Sequence, residues 1–339
     1  MKTRLKGEKD TMEYTEEVAE RMAPLYDRVK DYILAEDWPE IAPYVDEILR
    51  LKKERNAIIL SHNYQSSEIF HCVSDIVGDS LALAIKAKEA DADVIVVCGV
   101  HFMAETAKLL NPSKTVLIPD LTAGCSLAES ITAEDVRRLK AENPGVPVCT
   151  YVNTSAEVKA EVDICCTSAN AKRIVESLGS EKVLLIPDEF LAQNIAKQTD
   201  VEILTWHGRC QVHEIYTKAD IDRIRRENPE CTVLAHPECP PEVLDAADFS
   251  GSTSGMANYV KEHEPGLVAL ITECSMSDNI RSDCGRTEFI MSCTICPHMK
   301  KITLAKILDC LRNLSGEVVV DEEIAAPARA SIEAMLEVG

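Results

Sequence analysis

The chain has 339 residues, of which 46% are apolar and 27% are charged, ordinary values for a globular protein of two or three domains. It carries 36 Lys and Arg against 57 Asp and Glu, a formal net charge of −21. This charge excludes a broad nucleic-acid or anionic-membrane surface, but it leaves room for a small anion site. Aromatic residues make up only 4%, so aliphatic and small side chains must fill the core.

The N-terminus and the cysteines indicate the compartment. Residues 1–8 are charged with no apolar run behind them, and no apolar run approaches the roughly 20 residues that cross a bilayer. We therefore expect a cytoplasmic protein without a membrane segment. In a reducing compartment, most of the 14 cysteines should be buried apolar residues, and any with a function should be metal ligands or catalytic groups.

The first 50 residues are charge-rich and helical in pattern. Thr15 is placed to start a helix, Leu25 and Val29 recur at helical spacing, and a second short helix is predicted over 44–53. We interpret residues 1–50 as an N-terminal helical extension that packs on the main body and takes no part in catalysis.

From residue 56 onward, short β-rich runs alternate with charged helical stretches, which indicates βαβ units and parallel sheets. The predicted strands cover 57–60, 94–98, 116–118, 148–152, 183–186, 203–206, 232–235 and 267–272. They fall into three similar segments. We therefore predict an α/β fold of three similar three-layer αβα domains, at 51–145, 146–228 and 229–339, the last including the C-terminal helices.

Each segment repeats one order of features: a strand that ends in polar residues, a Ser/Thr-rich turn, and a cysteine in a turn-like setting. The strand-end residues are His62 and Tyr64, Tyr151 and Asn153, and His236 and Glu238; the turns contain Ser80, Ser168 and Ser252; the cysteines are Cys125, Cys210 and Cys296. The first interval is 18, 17 and 16 residues, and the second is 45, 42 and 44. If the repeats pack around a pseudo-threefold axis, the three cysteines converge.

Three thiolates at one point suit a [4Fe–4S] cluster whose open iron acts as a Lewis acid. The segment Cys293-Thr-Ile-Cys296-Pro is ambiguous by itself between a redox pair, half a zinc site and a cluster ligand. We favour the cluster ligand, because Cys284 and His298 are poorly spaced for zinc. Core packing is expected for Cys98, Cys149, Cys165, Cys166, Cys231 and Cys274.

The Ser/Thr turns are expected to cap helices. Gathered at one axis, three such helix N-termini could also hold phosphate or carboxylate groups with few Lys or Arg nearby. The strand-end residues lie where open α/β sheets bind ligands, beyond the carboxyl ends of strands. His213 follows Cys210 closely enough to lie near a cluster. Structural roles are expected for His101, His207, His263 and His298.

Ten stretches resemble the quinolinate synthase family, the A protein of bacterial and archaeal NAD biosynthesis. They run in order through residues 55–330: SHNYQ (61–65), GDSL (78–81), GVHFMAETAK (99–108), AGCSL (123–127), YVNTSAEVKA (151–160), CTSAN (166–170), WHGRCQVH (206–213), AHPEC (235–239), GSTSG (251–255) and CTICPHMK (293–300).

The resemblance implies three αβα domains around a pseudo-threefold axis and a [4Fe–4S] cluster on Cys125, Cys210 and Cys296. It implies a transferase that condenses iminoaspartate with dihydroxyacetone phosphate into quinolinate, phosphate and two waters. Implied catalytic residues are Tyr64, His236 and Glu238; implied substrate-binding residues are His62, Ser80, Phe102, Met103, Tyr151, Asn153, Ser168, His213, Ser252 and Thr253. We also expect functional coupling to an L-aspartate oxidase or dehydrogenase, no nucleic-acid partner, and a monomer or homodimer.

Two features depart from the family. Some members carry a CxxCxxC near the end, and Ile290 occupies its first position here, so a disulfide between the first two cysteines of that triplet is not available. The resemblance also leaves residues 1–50 uninterpreted. The alternatives are another [4Fe–4S] hydro-lyase acting on a small carboxylic acid, a non-catalytic Fe–S redox or iron-sensing protein, and a zinc-stabilised binding scaffold.

Overall fold

The chain folds around three four-stranded parallel sheets with the same strand order. The computed structural model describes residues 12–89, 91–290 and 294–339. The orders are β2-β1-β3-β4, β6-β5-β7-β8 and β10-β9-β11-β12, and every strand pair is parallel. The predicted α/β class is confirmed. None of the helices in the described residues is long and apolar enough to span a membrane.

Each sheet is built by one β-α-β-α-β-α-β segment, which we call a unit. Unit 1 contains β1 Ala57–His62, α3 Ser67–Cys72, β2 Ile76–Gly78, α4 Ser80–Glu89, β3 Val94–Cys98, α5 His101–Leu110 and β4 Thr115–Leu117. Unit 2 contains β5 Val148–Tyr151, α8 Ala156–Ala160, β6 Ile164–Cys166, α9 Ala171–Ser177, β7 Lys182–Ile186, α10 Glu189–Ala196 and β8 Glu202–Thr205. Unit 3 contains β9 Thr232–Ala235, α12 Pro241–Ala246, β10 Phe249–Ser250, α13 Thr253–His263, β11 Leu267–Ile271, α14 Ser275–Ile280, a 3-10 turn Arg281–Asp283 and β12 Glu288–Ile290.

The remaining helices precede, connect or follow the units. They are α1 Glu16–Val29, α2 Trp38–Glu54, α6 Ser126–Glu129, α7 Ala133–Glu142, α11 Lys218–Glu227, a 3-10 turn Met299–Lys301, α15 Leu304–Asn313 and α16 Glu322–Val338. The domain boundaries predicted from the sequence stay a prediction. Helix α16, which the prediction assigns to the third domain, packs on α8 and β6 of unit 2.

Helices α1 and α2 pack on each other and on unit 1. Thr15 caps α1 by accepting the N–H of Val18. Helix α2 starts earlier than the predicted helix because Pro39 lies in its first turn, where the missing N–H of proline costs nothing. Ile48 lies on the buried face of α2, which packs against β1 and α15.

The edge strands β4 and β8 were predicted from the sequence, at 116–118 and 203–206. The other edge strands that the structure describes, β2, β6, β10 and β12, were missed, and each is only two or three residues long. In three of them, the aspartate just before the strand accepts a backbone N–H from the first strand of the unit, at 2.7–2.8 Å. The pairs are Asp75 with Ile59, Asp163 with Val148, and Asp248 with Val233. The repeat therefore includes an aspartate whose side chain ties the second strand of each unit to the first.

Helices α7, α11 and α15 extend the repeat beyond the sheets. Each has ten residues and is capped by a threonine seven positions after a predicted ligand cysteine, namely Thr132, Thr217 and Thr303. Helix α7 packs on α8 of unit 2, α11 on α12 of unit 3, and α15 on α2 beside unit 1. The helix that follows unit 1 thus packs on unit 2, and the helix that follows unit 2 packs on unit 3. The helix that follows unit 3 packs on α2, beside unit 1.

The segment after α15 returns to the first sheet. Ile118 N donates to Gly316 O, and Val318 N donates to Val116 O, both at 2.9 Å. Gly316 has φ +76°, and a Cβ there would lie 2.1 Å from Ile118 O, so this return requires glycine.

An ion pair ties the segment before Cys125 to α15. Lys306 Nζ lies 2.5 Å from an Asp120 oxygen, and Asp120 also accepts the backbone N–H of Thr122 at 2.8 Å. Burial raises the pKa of Asp120, but the hydrogen bonds from Lys306 and Thr122 outweigh burial and lower it to about 2.

We expect Ile48→Ala to lower the free energy of unfolding by about 2–5 kcal/mol, because it leaves a cavity between α2 and the body. Leu34→Ala is the matched control in the same extension, since Leu34 is 62% exposed, and should change stability by less than about 0.5 kcal/mol. Urea unfolding measures both. Equal effects of the two substitutions would mean that the extension does not pack as described.

We expect Asp120→Asn to lower the free energy of unfolding at pH 7 by about 1 kcal/mol, a discounted value because the Lys306 side chain is 44% exposed. The lowered pKa means that the carboxylate stabilises the fold above its unfolded pKa of 3.8, and that this contribution is lost as the pH falls toward about 2. Unfolding curves at pH 7 and 3.5 should therefore show a smaller difference at the lower pH. A difference that stays constant would contradict this assignment.

Candidate active site

Polar side chains from all three units line one cavity. Parallel strands end at the same edge of their sheet, so the residues that follow the strands of one sheet lie together at that edge. Residues from this edge of all three sheets line the cavity. All the predicted site residues except Ser252 line it: His62, Tyr64, Ser80, Phe102, Met103, Cys125, Tyr151, Asn153, Ser168, Cys210, His213, His236, Glu238, Thr253 and Cys296. Ser252 instead caps α13 through Gly255 N and donates to Asp79, each at 3.1 Å.

The cavity wall also carries polar atoms that lack a hydrogen-bond partner within the described parts of the chain. These are Asn153 Oδ1, Gln211 Nε2 and His298 Nδ1. Sequence reasoning missed Gln211 and gave His298 a structural role. Buried polar atoms are nearly always satisfied, so these three atoms are expected to meet water or a polar ligand in the cavity.

Two histidines at strand ends are held in one tautomer. The Nδ1 atoms of His62 and His236 accept the backbone N–H of Tyr64 and Glu238, at 3.2 and 3.3 Å. Burial lowers the pKa of His62 to about 4 and that of His236 to about 3. Both rings are therefore neutral near pH 7, with the proton on Nε2, and each presents an uncharged N–H donor.

Glu238 is a buried carboxylate between units 2 and 3. Tyr151 donates its O–H to Oε1 at 2.6 Å, and His213 Nδ1 lies 2.8 Å from Oε2. Burial raises the pKa of Glu238, but the imidazoles of His236 and His213 and the O–H of Tyr151 outweigh burial and lower it. Glu238 is therefore ionised, and it fixes the proton of His213 on Nδ1.

Tyr64 is joined to His213 and Glu238 through the hydroxyl of Thr272. The hydroxyl of Tyr64 lies 2.5 Å from Thr272 Oγ1, which lies 2.9 Å from His213 Nε2. Burial raises the pKa of both Tyr64 and Tyr151 well above 10, so both remain protonated. Thr272 was placed in a strand from the sequence, and nothing in its residue type indicated this role.

Two asparagines hold the loops that carry Tyr64 and Glu238. Asn279 donates to Asn63 O and Gln65 O, at 2.9 and 2.7 Å. Asn194 donates to the carbonyls of Pro237 and Cys239, both at 2.9 Å. Each asparagine lies eight residues after the third strand of its unit and binds the strand-end loop of the next unit. The asparagines thus fix the backbone on both sides of a site residue.

The three cysteines share one local environment. Backbone N–H groups two or three residues later point at each sulfur: Leu127 and Ala128 at Cys125, Val212 at Cys210, and His298 and Met299 at Cys296. Burial nevertheless raises the pKa of Cys125 to about 12, and it raises the pKa of Cys210 and Cys296 as well. A thiolate there needs a bound cation, and the N–H donors are placed to stabilise it.

A single metal ion would find one compact donor group within the described ranges. It consists of Cys210, His213 and Glu238, whose ligand atoms lie within 4.8 Å of one another. Zn–S bonds of about 2.3 Å place tetrahedral ligands about 4 Å apart. The three cysteines do not form so tight a group.

Other cysteine predictions divide in two. Cys98, Cys149, Cys165, Cys166 and Cys231 are buried, as predicted, whereas Cys274 is half-buried. Cys293 lies outside the described residues, so the redox pair stays an alternative for this CxxC beside the favoured cluster ligand at Cys296.

Lys300 links the turn after Cys296 to the Tyr64 loop. Its Nζ donates to Tyr64 O at 2.8 Å and lies 3.3 Å from Glu273, a fully buried carboxylate. Glu273 also accepts the backbone N–H groups of Ser275 and Cys296. This ion pair connects the third cysteine turn to the tyrosine.

Comparison with known proteins gives one consistent result. The family model described as Quinolinate synthetase A protein matches residues 46–337. The quinolinate synthase of Sinorhizobium fredii (strain NBRC 101917 / NGR234) is 59% identical over 329 residues, which cover 97% of this chain and 92% of that protein. Quinolinate synthase 2 of Mesorhizobium japonicum (strain LMG 29417 / CECT 9101 / MAFF 303099) is 62% identical over 314 residues, 93% and 97% of the two chains. The quinolinate synthase of Xylella fastidiosa (strain 9a5c) is 63% identical over 292 residues, 86% of each chain. This chain therefore belongs to the quinolinate synthetase A family.

Proposed function

We propose that this enzyme condenses iminoaspartate with dihydroxyacetone phosphate to give quinolinate, phosphate and two waters in NAD biosynthesis. The observation that carries the proposal is one cavity to which each unit contributes a pair of strand-end residues and the segment after each unit contributes one cysteine. The family of the chain supports the reaction, and the polar side chains in the cavity wall can donate hydrogen bonds to two small anionic substrates.

We further propose that the units are three αβα domains around a pseudo-threefold axis, with boundaries at 51–145, 146–228 and 229–339. The cyclic packing of α7, α11 and α15 supports this arrangement. The asparagine bridges run in the same direction, from unit 2 to unit 3 and from unit 3 to unit 1. Between units 1 and 2, Glu105 accepts the backbone N–H of Ala156 at 3.1 Å.

Cys125, Cys210 and Cys296 fit a [4Fe–4S] cluster. Their sulfurs lie on one cavity wall, each faces backbone N–H donors, and burial disfavours free thiolates there. A cluster held by three cysteines supplies Lewis-acid chemistry at the iron that has no protein ligand.

Uncharged donors would bind the two anionic substrates. No Lys or Arg lies among the described residues of the wall. The Nε2–H groups of His62 and His236 can donate to carboxylate or phosphate oxygens. Hydroxyls of Ser80, Ser168 and Thr253 lie beside helix starts, and the N-termini of α4 and α13 favour anions.

The side chains that would transfer protons have defined protonation states. The reaction balances without an external oxidant or reductant, so the side chains need to move only protons. Ionised Glu238 is ready to accept a proton, and Tyr64 and Tyr151 are ready to donate one. His236 is the third catalytic group, and its neutral Nε2–H is the donor that it offers to a substrate. Phe102 and Met103 supply apolar wall between these polar groups.

The remaining expectations rest on the family and the chemistry. Iminoaspartate would come from an L-aspartate oxidase or dehydrogenase, which is the basis of the proposed functional coupling. A cytoplasmic location and a monomeric or homodimeric state remain predictions.

We expect Cys125→Ser, Cys210→Ser and Cys296→Ser each to abolish the cluster and at least about 99% of quinolinate formation, because three ligands are the minimum for the site. Iron, acid-labile sulfide and product are measured on anaerobically purified protein. The control is Cys310→Ser, in which serine can reproduce the 3.1 Å contact to Ser315 O. An intact cluster with full turnover in any of the three ligand variants would reject that ligand.

We expect the wild-type protein to bind about four irons and four sulfides per chain and to form quinolinate from the two substrates. Adding substrate should perturb the visible spectrum. Zinc without sulfide, even after anaerobic reconstitution, would favour a single ion at Cys210, His213 and Glu238. An intact cluster without quinolinate formation would favour the hydro-lyase, and a reversible redox couple without turnover would favour the sensor.

A further inference from the structure

We propose that Thr272 is a positioning residue, whose hydroxyl joins Tyr64 to the His213–Glu238 pair and orients both for the reaction. The inference rests on the proposed function and adds a residue that does not line the cavity. It depends on an unbroken series of hydrogen bonds through the centre of the molecule.

The series joins five side chains from all three units. The contacts measure 2.5 Å from Tyr64 to Thr272, 2.9 Å from Thr272 to His213, 2.8 Å from His213 to Glu238, and 2.6 Å from Glu238 to Tyr151. Every member is at least nine-tenths buried, and Thr272 has no exposed surface. Water cannot easily replace a lost contact here.

Donor and acceptor roles follow from the carboxylate. Glu238 accepts only, so it takes the Nδ1 proton of His213. The Thr272 hydroxyl then joins His213 Nε2, at 2.9 Å, to the Tyr64 hydroxyl, at 2.5 Å. A hydroxyl has one proton, so Thr272 donates in one of these contacts and accepts in the other.

The position of the Thr272 hydroxyl is set by the fold. Thr272 follows β11 directly, and its carbonyl accepts the O–H of Tyr216 at 2.7 Å. Its branched Cβ restricts rotation about χ1. The oxygen is therefore held between Tyr64 and His213, with little freedom to leave either.

Loss of this hydroxyl has a defined consequence. Tyr64 and His213 would each keep a buried polar atom facing a methyl group. The Tyr64 O–H could then turn to other acceptors, and the His213 ring would lose one of its two anchors. Thr272 touches no substrate in this arrangement, so its loss should affect turnover more than substrate binding.

The test compares Thr272→Val with Thr272→Ser in the cluster-loaded enzyme. Valine keeps the shape and removes the hydroxyl, and we expect kcat to fall about 10- to 100-fold with KM changed less than about threefold. Serine keeps the hydroxyl and should retain kcat within about threefold. The control is Thr287→Val in unit 3, where the buried hydroxyl has no hydrogen-bond partner within the described residues, and kcat should be unchanged.

Three outcomes would overturn the inference. The first is unchanged kcat in Thr272→Val. The second is an equal decrease of kcat in Thr272→Val and Thr272→Ser. The third is a decrease of kcat that is proportional to a lower iron content or accompanies a lower thermal stability. Either of these two outcomes indicates a structural role. Absence of quinolinate from the wild-type enzyme would overturn the proposed function itself, whereas wild-type turnover matched by Thr272→Val overturns this inference alone.

Discussion

The Glu238 carboxylate is the constraint around which the site is assembled. An ionised group removed from water must be surrounded by donors, and an unpaired buried charge would cost several kcal/mol. Its donors are Tyr151 and His213, and Asn194 holds the backbone on either side of it. All three lie between residues 146 and 228, outside unit 3. The loop of unit 3 can therefore reach its conformation only against the neighbouring unit.

Much of the fold could be predicted because the inner strands are runs of Val, Ile and Leu that lie buried between helices. The predicted range 94–98 coincides with β3, and 232–235 coincides with β9. The convergence of the cysteines could be predicted for a related reason. Similar spacing along three segments with the same order of elements places corresponding residues at corresponding positions, and all three cysteines line one cavity.

The rest depends on contacts that no local pattern encodes. The strand Phe249–Ser250 is defined by Asp248, which binds a backbone N–H fifteen residues away. Thr272 and Asn279 are ordinary residue types for a strand end and a helix, and only their distant partners reveal their roles. Helix α16 lies far from unit 2 in sequence, yet Ser331 in this helix donates to Lys159 O at 2.9 Å. Such pairings require the tertiary structure.

The absence of Lys and Arg from the described cavity wall has a consequence for binding in solution. Affinity that comes from ion pairs falls as dissolved ions screen the charges, and a chain of net charge −21 repels anions at long range. Short hydrogen bonds to buried donors such as His62 and His236 are screened far less. Added salt should therefore raise the association rate of an anionic molecule by weakening the repulsion. The strength of its hydrogen bonds inside the cavity should stay nearly constant.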